Sequence, residues 1–307
     1  MRALNAGAAR LVMERSRQSL LGVLRRLRVY LTLIKSLQTG LLLVTGLAGY
    51  LSAASLRTFG DWEKLGAVAG SLLLAIGGST LLNMVYDRDI DALMKRTCAR
   101  PLPAGLVNPR VVGLMGALTS ALGVAWATAL TPLYGAVVLA GLVLDAGVYT
   151  VWLKRRTPFS VIIGGLSGGM PALAGRALAV GSIEPVGVLL ALAVLFWIPT
   201  HILTFTLKYA DDYRAAGVPT FPAAFGERVT RLVIAIACVL AGSVMLLAAL
   251  WIGVAGGGLT VLIGLSLVLL ALATVGLRRR TERANTVLFR FASLYMLAAM
   301  AVLGGWR

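Results

Sequence analysis

Long apolar runs alternate along this chain with short polar connections that are mostly basic. Runs of about 20 residues that are almost free of charge predict helices that cross a membrane. Nine such runs occur, at 29–53, 65–86, 109–130, 132–152, 159–180, 185–207, 229–251, 254–277 and 287–305. The predicted fold class is therefore all-α, a polytopic membrane protein of about nine transmembrane helices. Residues 1–28 hold seven arginines among apolar residues, which predicts a basic amphipathic segment lying on an anionic membrane face. The expected organisation is that cytoplasmic N-terminal segment followed by one transmembrane domain over 29–307.

Composition agrees with this reading. Of 307 residues, 59% are hydrophobic and 13% charged, more apolar surface than a soluble fold of this length needs. The 35 glycines suit close helix packing in lipid. A formal charge of +17 raises nucleic acid as a partner, but the cations lie in short loops and form no groove-sized patch. Alternate connections, together with the N-terminal segment, hold 24 of the 29 Lys and Arg when the nearby Arg290 is included. That asymmetry places those loops in the cytoplasm. Cys98 and Cys238 are too few for a disulfide framework or a metal site. The start shows no small-residue cleavage pattern and is expected to remain uncleaved.

The chemistry concentrates where the second run ends. Asp87, Asp89 and Asp91 fall within five residues. If the helix continues, Asn83, Asp87 and Asp91 share one face, ~6 Å apart along the axis, and Asp89 points elsewhere. Three clustered anions repel one another unless a cation lies among them, and ligands of this all-oxygen kind suit Mg²⁺. The competing explanation is a solvated helix end with Arg88 and Lys95 as neighbours. Carboxylates at the mouth of a membrane helix are costly and usually functional.

A second pair, Asp211 and Asp212, follows the sixth run on the same predicted side. Each loop runs from acids to an arginine and then to paired prolines: Arg96, Pro101 and Pro103 in one, Arg214, Pro219 and Pro222 in the other. This is a weak repeat with an offset of 124 residues, from Asp87 to Asp211. With Lys95, Arg96, Arg100, Lys154, Arg155, Arg156, Lys208 and Arg214 nearby in the loops, the clusters make an anion site. Carboxylates would hold a metal, the metal phosphate oxygens, and arginines the remaining oxygens. A diphosphate held so can depart, and the carbocation left behind needs a dry, apolar and aromatic chamber. The reaction class is prenyl transfer from an isoprenyl diphosphate. The basic loops also have a purely topological explanation.

Asn83, Asp87 and Asp91 at this spacing resemble the first aspartate-rich motif of the UbiA-type intramembrane prenyltransferases. The stretch from Asp87 to Thr97, followed by Arg100 to Gly105, is similar to the haem O synthase branch. Trp152 to Pro158, Trp197 to His201 and Asp211 to Pro219 are similar to it as well. The likeness runs from about Lys35 to Pro222.

This resemblance implies helices around a central cavity, Mg²⁺ as cofactor, and farnesyl or geranylgeranyl diphosphate and haem B as substrates. It implies metal ligation by Asn83, Asp87 and Asp91, with Asp211 or Asp212 at a second ion. Asp87, Asp91, Asp212, Lys154 and His201 form the implied catalytic set. Lys35, Arg88, Lys95, Arg96, Arg100, Arg155 and Arg214 form the diphosphate set, and Trp197, His201, Asp145 and Tyr149 the acceptor set. A downstream haem-oxidising enzyme is a candidate partner; nucleic acid is not. Asp211 and Asp212 are adjacent where the wider superfamily spaces its acids, and Arg176 stands where a tryptophan is expected.

Several residues carry two explanations. His201, the sole histidine, is either a satisfied interior residue or a group near the haem. Asp145 lies nine residues before Lys154, ~13 Å deeper along a helix, with Tyr149 on its face. It is either functional or a protonated partner to another helix. Lys35 reaches the diphosphate or snorkels, and Arg176 snorkels or meets a haem propionate. Two other functions share these features. One is a UbiA-type enzyme acting on an aromatic or lipid acceptor. The other is a cation-coupled transporter, which predicts carboxylates near the midplane in broken helices.

Overall fold

The computed structural model describes Leu33, residues 36–54 and residues 56–305. The predicted basic segment 1–28 and Lys35 lie outside them. Helix α1 spans Ser36–Leu51, α2 Phe59–Tyr86 and the short α3 Arg88–Leu93. Helix α4 spans Pro109–Leu130 and α5 Pro132–Leu142, which runs straight on as a π-helix over Val143–Leu153. Then come α6 (Ser160–Val180), α7 (Pro185–Lys208), the short α8 (Ala210–Ala215), α9 (Phe221–Ile252), α10 (Gly256–Arg279) and α11 (Glu282–Gly305). No strand occurs among the described residues.

With α5 and its π-helical continuation taken as one rod, eight helices among the described residues are long and apolar enough to cross a membrane. Helix α1, apolar over Gln38–Leu51, is shorter among the described residues. The nine predicted runs thus each have a helix. Several helices project beyond their apolar run, and at α2 a polar cap accompanies the extension. Helix α2 begins at Phe59, where the Asp61 carboxylate accepts from the backbone N–H of Arg57 and Thr58 at 3.0 and 2.9 Å. That satisfies donors which a helix start otherwise leaves open. Helix α9 begins at Phe221 and kinks at Gly226, whose φ of 77° is left-handed, a conformation that glycine adopts at little cost.

The π-helix is the feature that hydropathy does not foresee. Lys154 N–H donates to the Tyr149 carbonyl five residues back, and the Thr150 hydroxyl donates to the Asp145 carbonyl at 2.7 Å. Wide turns of this kind gather at functional sites. This one turns Asp145, Tyr149 and Thr150 towards α2 and α6.

Two apolar cores hold the helices. Trp197, Leu203, Ile234, Met245, Leu262, Leu269 and Tyr295 pack α7, α9, α10 and α11 together. Tyr50, Leu72, Ala127, Tyr134 and Val137 pack α1, α2, α4 and α5. Helix α6 bridges the halves by lying against α1, α5 and α7. Its approach to α1 is close: a Cβ on Gly175 would stand 2.0 Å from the Gly46 carbonyl oxygen and 2.8 Å from the Tyr50 nitrogen. Small residues are what let helix backbones meet in lipid.

Gly175→Ala forces these backbones apart and should cost roughly 1–3 kcal/mol. Gly40→Ala, in the same packed pair of helices but with nothing within 4 Å, should instead stabilise slightly. Thermal unfolding in detergent reads both, and equal effects would contradict the packing.

Candidate active site

The helix breaks at Asp87 between α2 and α3, but its four-residue hydrogen bonding carries across the break. Asp87 N–H donates to the Asn83 carbonyl at 2.9 Å and Asp91 N–H to the Asp87 carbonyl at 2.8 Å. Asn83, Asp87 and Asp91 therefore follow one another along one face, and Asp87 and Asp91 are buried. Asp89 points outward with a side chain 63% exposed. Both its oxygens accept from Arg155, at 2.7 Å each. That bidentate bond, ahead of any other cause, lowers the Asp89 carboxyl pKa and raises that of the guanidinium. Arg155 also donates to the Tyr86 carbonyl at 2.6 Å, so it clips the turn after the π-helix onto the end of α2.

Each buried carboxylate has a cation. Lys154 Nζ donates to Asp87 Oδ2, and Arg100 donates to Asp91 Oδ2 at 2.8 Å. A buried carboxylate needs such a partner because desolvating an isolated charge is prohibitive. Asp87 Oδ1, however, is buried with no hydrogen-bond partner. One turn deeper, Asn83 is held from both ends. It accepts from the Thr150 hydroxyl and donates to Asp145 Oδ2 at 3.2 Å. Asp145 Oδ2 also accepts from Ser79 at 2.5 Å. Asp145 thus bonds to α2 from the neighbouring helix. Ser79, one turn before Asn83 on the same face, was findable by extending the four-residue spacing; Thr150 was not, because its partnership depends on the π-turn.

The second acidic loop docks directly on the first. Asp212 Oδ1 and Oδ2 accept from the backbone N–H of Lys95 and Arg96 at 3.3 and 3.4 Å. The Asp212 side chain is 13% exposed, whereas Asp211 is 93% exposed and pairs with Arg214 at 2.9 Å. Arg96 binds the two loops from the other direction. Its guanidinium donates to Tyr213 Oη at 3.2 Å and lies 4.8, 5.4 and 5.3 Å over the rings of Phe205, Tyr209 and Tyr213. Burial, first of all, raises the Tyr213 phenol pKa above its ordinary value. Ile90, Met94 and Val218 close the contact with an apolar patch. Tyr213 thus joins the candidate site, and its place beside Asp212 is the signal in the sequence that points to it. Arg88 and Lys95 are exposed.

Beneath Asn83 and Asp145 opens a small cavity of about 70 Å³. Its walls are mostly apolar: Leu42, Leu72, Ile76, Val138, Leu142 and Met170. Farther across, His201 is sandwiched between Trp197 and Phe289, with ring centroids at 4.9 and 4.5 Å. Its Nδ1 lies 3.2 Å from the Ser293 hydroxyl, and Trp197 Nε1 donates to the Ala292 carbonyl at 2.7 Å. Both faces of the imidazole are therefore covered by protein rings. Arg176 lies at the opposite end of the bundle from the acids. It is buried and donates to the Ser52 carbonyl at 2.6 Å and to Glu184 at 2.5 Å, so it joins α6 to α1 and does not snorkel.

Among the described residues, no group of three or more His, Cys, Asp or Glu converges as a closed metal cage. What the fold supplies is Asn83, Asp87 and Asp91 in succession with their cations, and Asp212 anchored on the backbone of the loop that follows them. These oxygen donors suit a hard divalent ion that keeps part of its coordination for phosphate oxygens and water.

Residues 42–297 match the UbiA prenyltransferase family. The chain belongs to that family. It is 39% identical over 272 residues to the protoheme IX farnesyltransferase of Thermofilum pendens, covering 87% of this chain and 95% of that one. With the protoheme IX farnesyltransferase of Aeropyrum pernix it shares 37% identity over 290 residues, 94% of this chain and 93% of the relative. Solved structures of the fold include a digeranylgeranylglyceryl phosphate synthase, with a TM-score of 0.74 and 18% identity over 91% of this chain and 98% of that one. A UbiA homolog from Archaeoglobus fulgidus, bound to DMAPP and Mg²⁺, has a TM-score of 0.67 at 18% identity, over 90% and 99%. As a member of this UbiA family the chain is a multi-pass membrane prenyltransferase.

Asp212→Ala removes the acceptor that holds the first loop of this UbiA chain and should speed tryptic cleavage after Lys95 or Arg96 severalfold. Asp211→Ala should leave the cleavage rate near that of the parent. Equal rates in the two variants would contradict the docking.

Proposed function

We propose that the chain transfers an isoprenyl group from an isoprenyl diphosphate to a vinyl group of protohaem IX. The observation that carries the reading is the docking of Asp212 on the loop that follows Asp87 and Asp91. It gathers acidic side chains distant in sequence at one mouth of an apolar cavity. The protoheme IX farnesyltransferase relatives, at 37–42% identity, supply the acceptor. The uneven distribution of Lys and Arg puts this mouth and the N-terminus on the cytoplasmic side of the cell membrane.

Asn83, Asp87 and Asp91 are the residues that would hold Mg²⁺, with Asp212 contributing from the second loop. The unpartnered Asp87 Oδ1 supports that assignment, since a buried carboxylate oxygen without a partner is costly. Bound there, Mg²⁺ would neutralise diphosphate charge and ease its departure. Lys154 and Arg100 balance the two buried carboxylates in the ligand-free chain and would supply positive charge to the substrate phosphates. Arg96 and Arg155 shape the loops around that anion, Lys95, Arg88 and Arg214 add to the local field, and Lys35 belongs to the same proposed set.

The prenyl C–O bond breaks and its electron pair leaves with the diphosphate. Leu42, Leu72, Ile76 and Met170 keep water from the allylic cation, and the tail lies among them. Tyr149 presents a ring beside the charge. The vinyl π electrons then form the new C–C bond to the prenyl C1. The cation on the remaining vinyl carbon takes water, which loses a proton and leaves a hydroxyalkyl group. Trp197, His201, Asp145 and Tyr149 are the proposed acceptor side; His201 would act through Nε2, because both ring faces and Nδ1 are engaged.

Asp87→Asn and Asp91→Asn should each lower product formation by at least about 10³-fold, in line with losing transition-state charge stabilisation, while the protein stays folded. Asp89→Asn, at the exposed position, should lose less than tenfold. Mass spectrometry after incubation with haem B, farnesyl diphosphate and Mg²⁺ reads the product. Full activity in either buried variant, or undiminished turnover in EDTA, would contradict the assignment.

A further inference from the structure

A second cavity, polar and of about 390 Å³, opens at the same end of the bundle. It lies where α7 and α10 end and α9 and α11 begin, beside Lys208 at the end of α7 and Arg214 on α8. Its depth is polar. Arg231 is buried, bonded to Glu227 at 2.8 Å and to the Gly276 carbonyl at 3.1 Å. Asn285 is 3% exposed; its amide nitrogen donates to the Thr204 carbonyl at 2.7 Å, and its Oδ1 has no partner. An orphaned amide oxygen in a cavity wall is costly and calls for a donor from a ligand.

The rim is cationic. Arg280 and Lys208 line it, and neither lies within ion-pair distance of an acid among the described residues. Arg280 is also the one described non-glycine residue with positive φ, at 46°. It ends α10 in the left-handed cap position, which glycine fills without a steric penalty and an arginine fills at a cost of ~1 kcal/mol. Strain kept at a cavity rim points to a use for the side chain. Glu282 and Glu227 line the same cavity, so the site offers cations at its rim together with acceptors.

We propose that this cavity binds a phosphate group that carries a neighbouring O–H or N–H donor. Arg280 and Lys208 hold the phosphate oxygens, and Asn285 Oδ1 accepts from the donor. The same chemistry occurs in a phospholipid headgroup of the adjacent membrane leaflet and in soluble hydrogen phosphate. The site shares Arg214 with the proposed diphosphate set but is lined by none of Asn83, Asp87, Asp91 and Asp212, and no part of the argument depends on the reaction proposed above.

Purified full-length protein without Mg²⁺ is titrated with glycerophosphoethanolamine and, separately, with inorganic phosphate, and the thermal midpoint is followed. At least one probe should raise the midpoint of the parent protein saturably. Arg280→Gly should weaken that apparent affinity at least tenfold while leaving the unliganded protein as stable as the parent or more so. Asn285→Leu should weaken it comparably if it folds. A response to glycerophosphoethanolamine alone assigns the cavity to a lipid headgroup, and a response to phosphate assigns it to a soluble anion. No response to either probe, or an unchanged affinity in Arg280→Gly, overturns the proposal.

Discussion

The structure turns on the burial of two carboxylates at a helix end. Asp87 and Asp91 are removed from water at the junction of α2 and α3, where an uncompensated charge would be intolerable. Lys154 and Arg100 compensate them, and those cations come from different connections. The need to balance charge therefore draws the turn after the π-helix and the long loop before α4 onto one point. Asn83, Thr150, Asp145 and Ser79 extend the same polar seam inward. Below the seam the walls become mostly apolar.

The second half of the chain completes the mouth through backbone donors. Two N–H groups of the first loop donate to one carboxylate of the second, and Arg96 lies across three rings of the second half and donates to the hydroxyl of one of them, Tyr213. Charge-assisted bonds to a carboxylate are the stronger kind, and cation–π contacts strengthen as water is excluded. The loops thus form a roof whose parts are mutually dependent. The long helices behind them are held by small residues and apolar packing, and they fix where each loop begins.

Much of this was legible in the chain itself. The eight long apolar helices among the described residues, and the shorter α1, followed from apolar runs, because the bilayer imposes length on a spanning helix. The shared face of Asn83, Asp87 and Asp91 followed from four-residue spacing, and so did the outward turn of Asp89. Asp211 and Asp212 could not be separated by spacing alone; only the docking of α8 on the first loop turns one inward and leaves the other in solvent. The tie from Thr150 to Asn83 depends on a π-helix that no apolar periodicity announces. Arg176 looked like a cation reaching for the surface, but its partners, Ser52 and Glu184, become neighbours only through the packing of α6 on α1. His201 drew notice as the sole histidine, yet its stacking between Trp197 and Phe289 arises from the approach of α11 to α7.

The most direct test of the central claim is an anomalous-scattering map of the full chain crystallised with Mn²⁺, in place of Mg²⁺, and a non-hydrolysable farnesyl diphosphate analogue. The account predicts a metal peak bounded by Asn83, Asp87 and Asp91, with Lys154 moved from Asp87 towards the phosphates. A peak located only at Asp211, or Lys154 still paired with Asp87 beside a bound analogue and no metal, would contradict it.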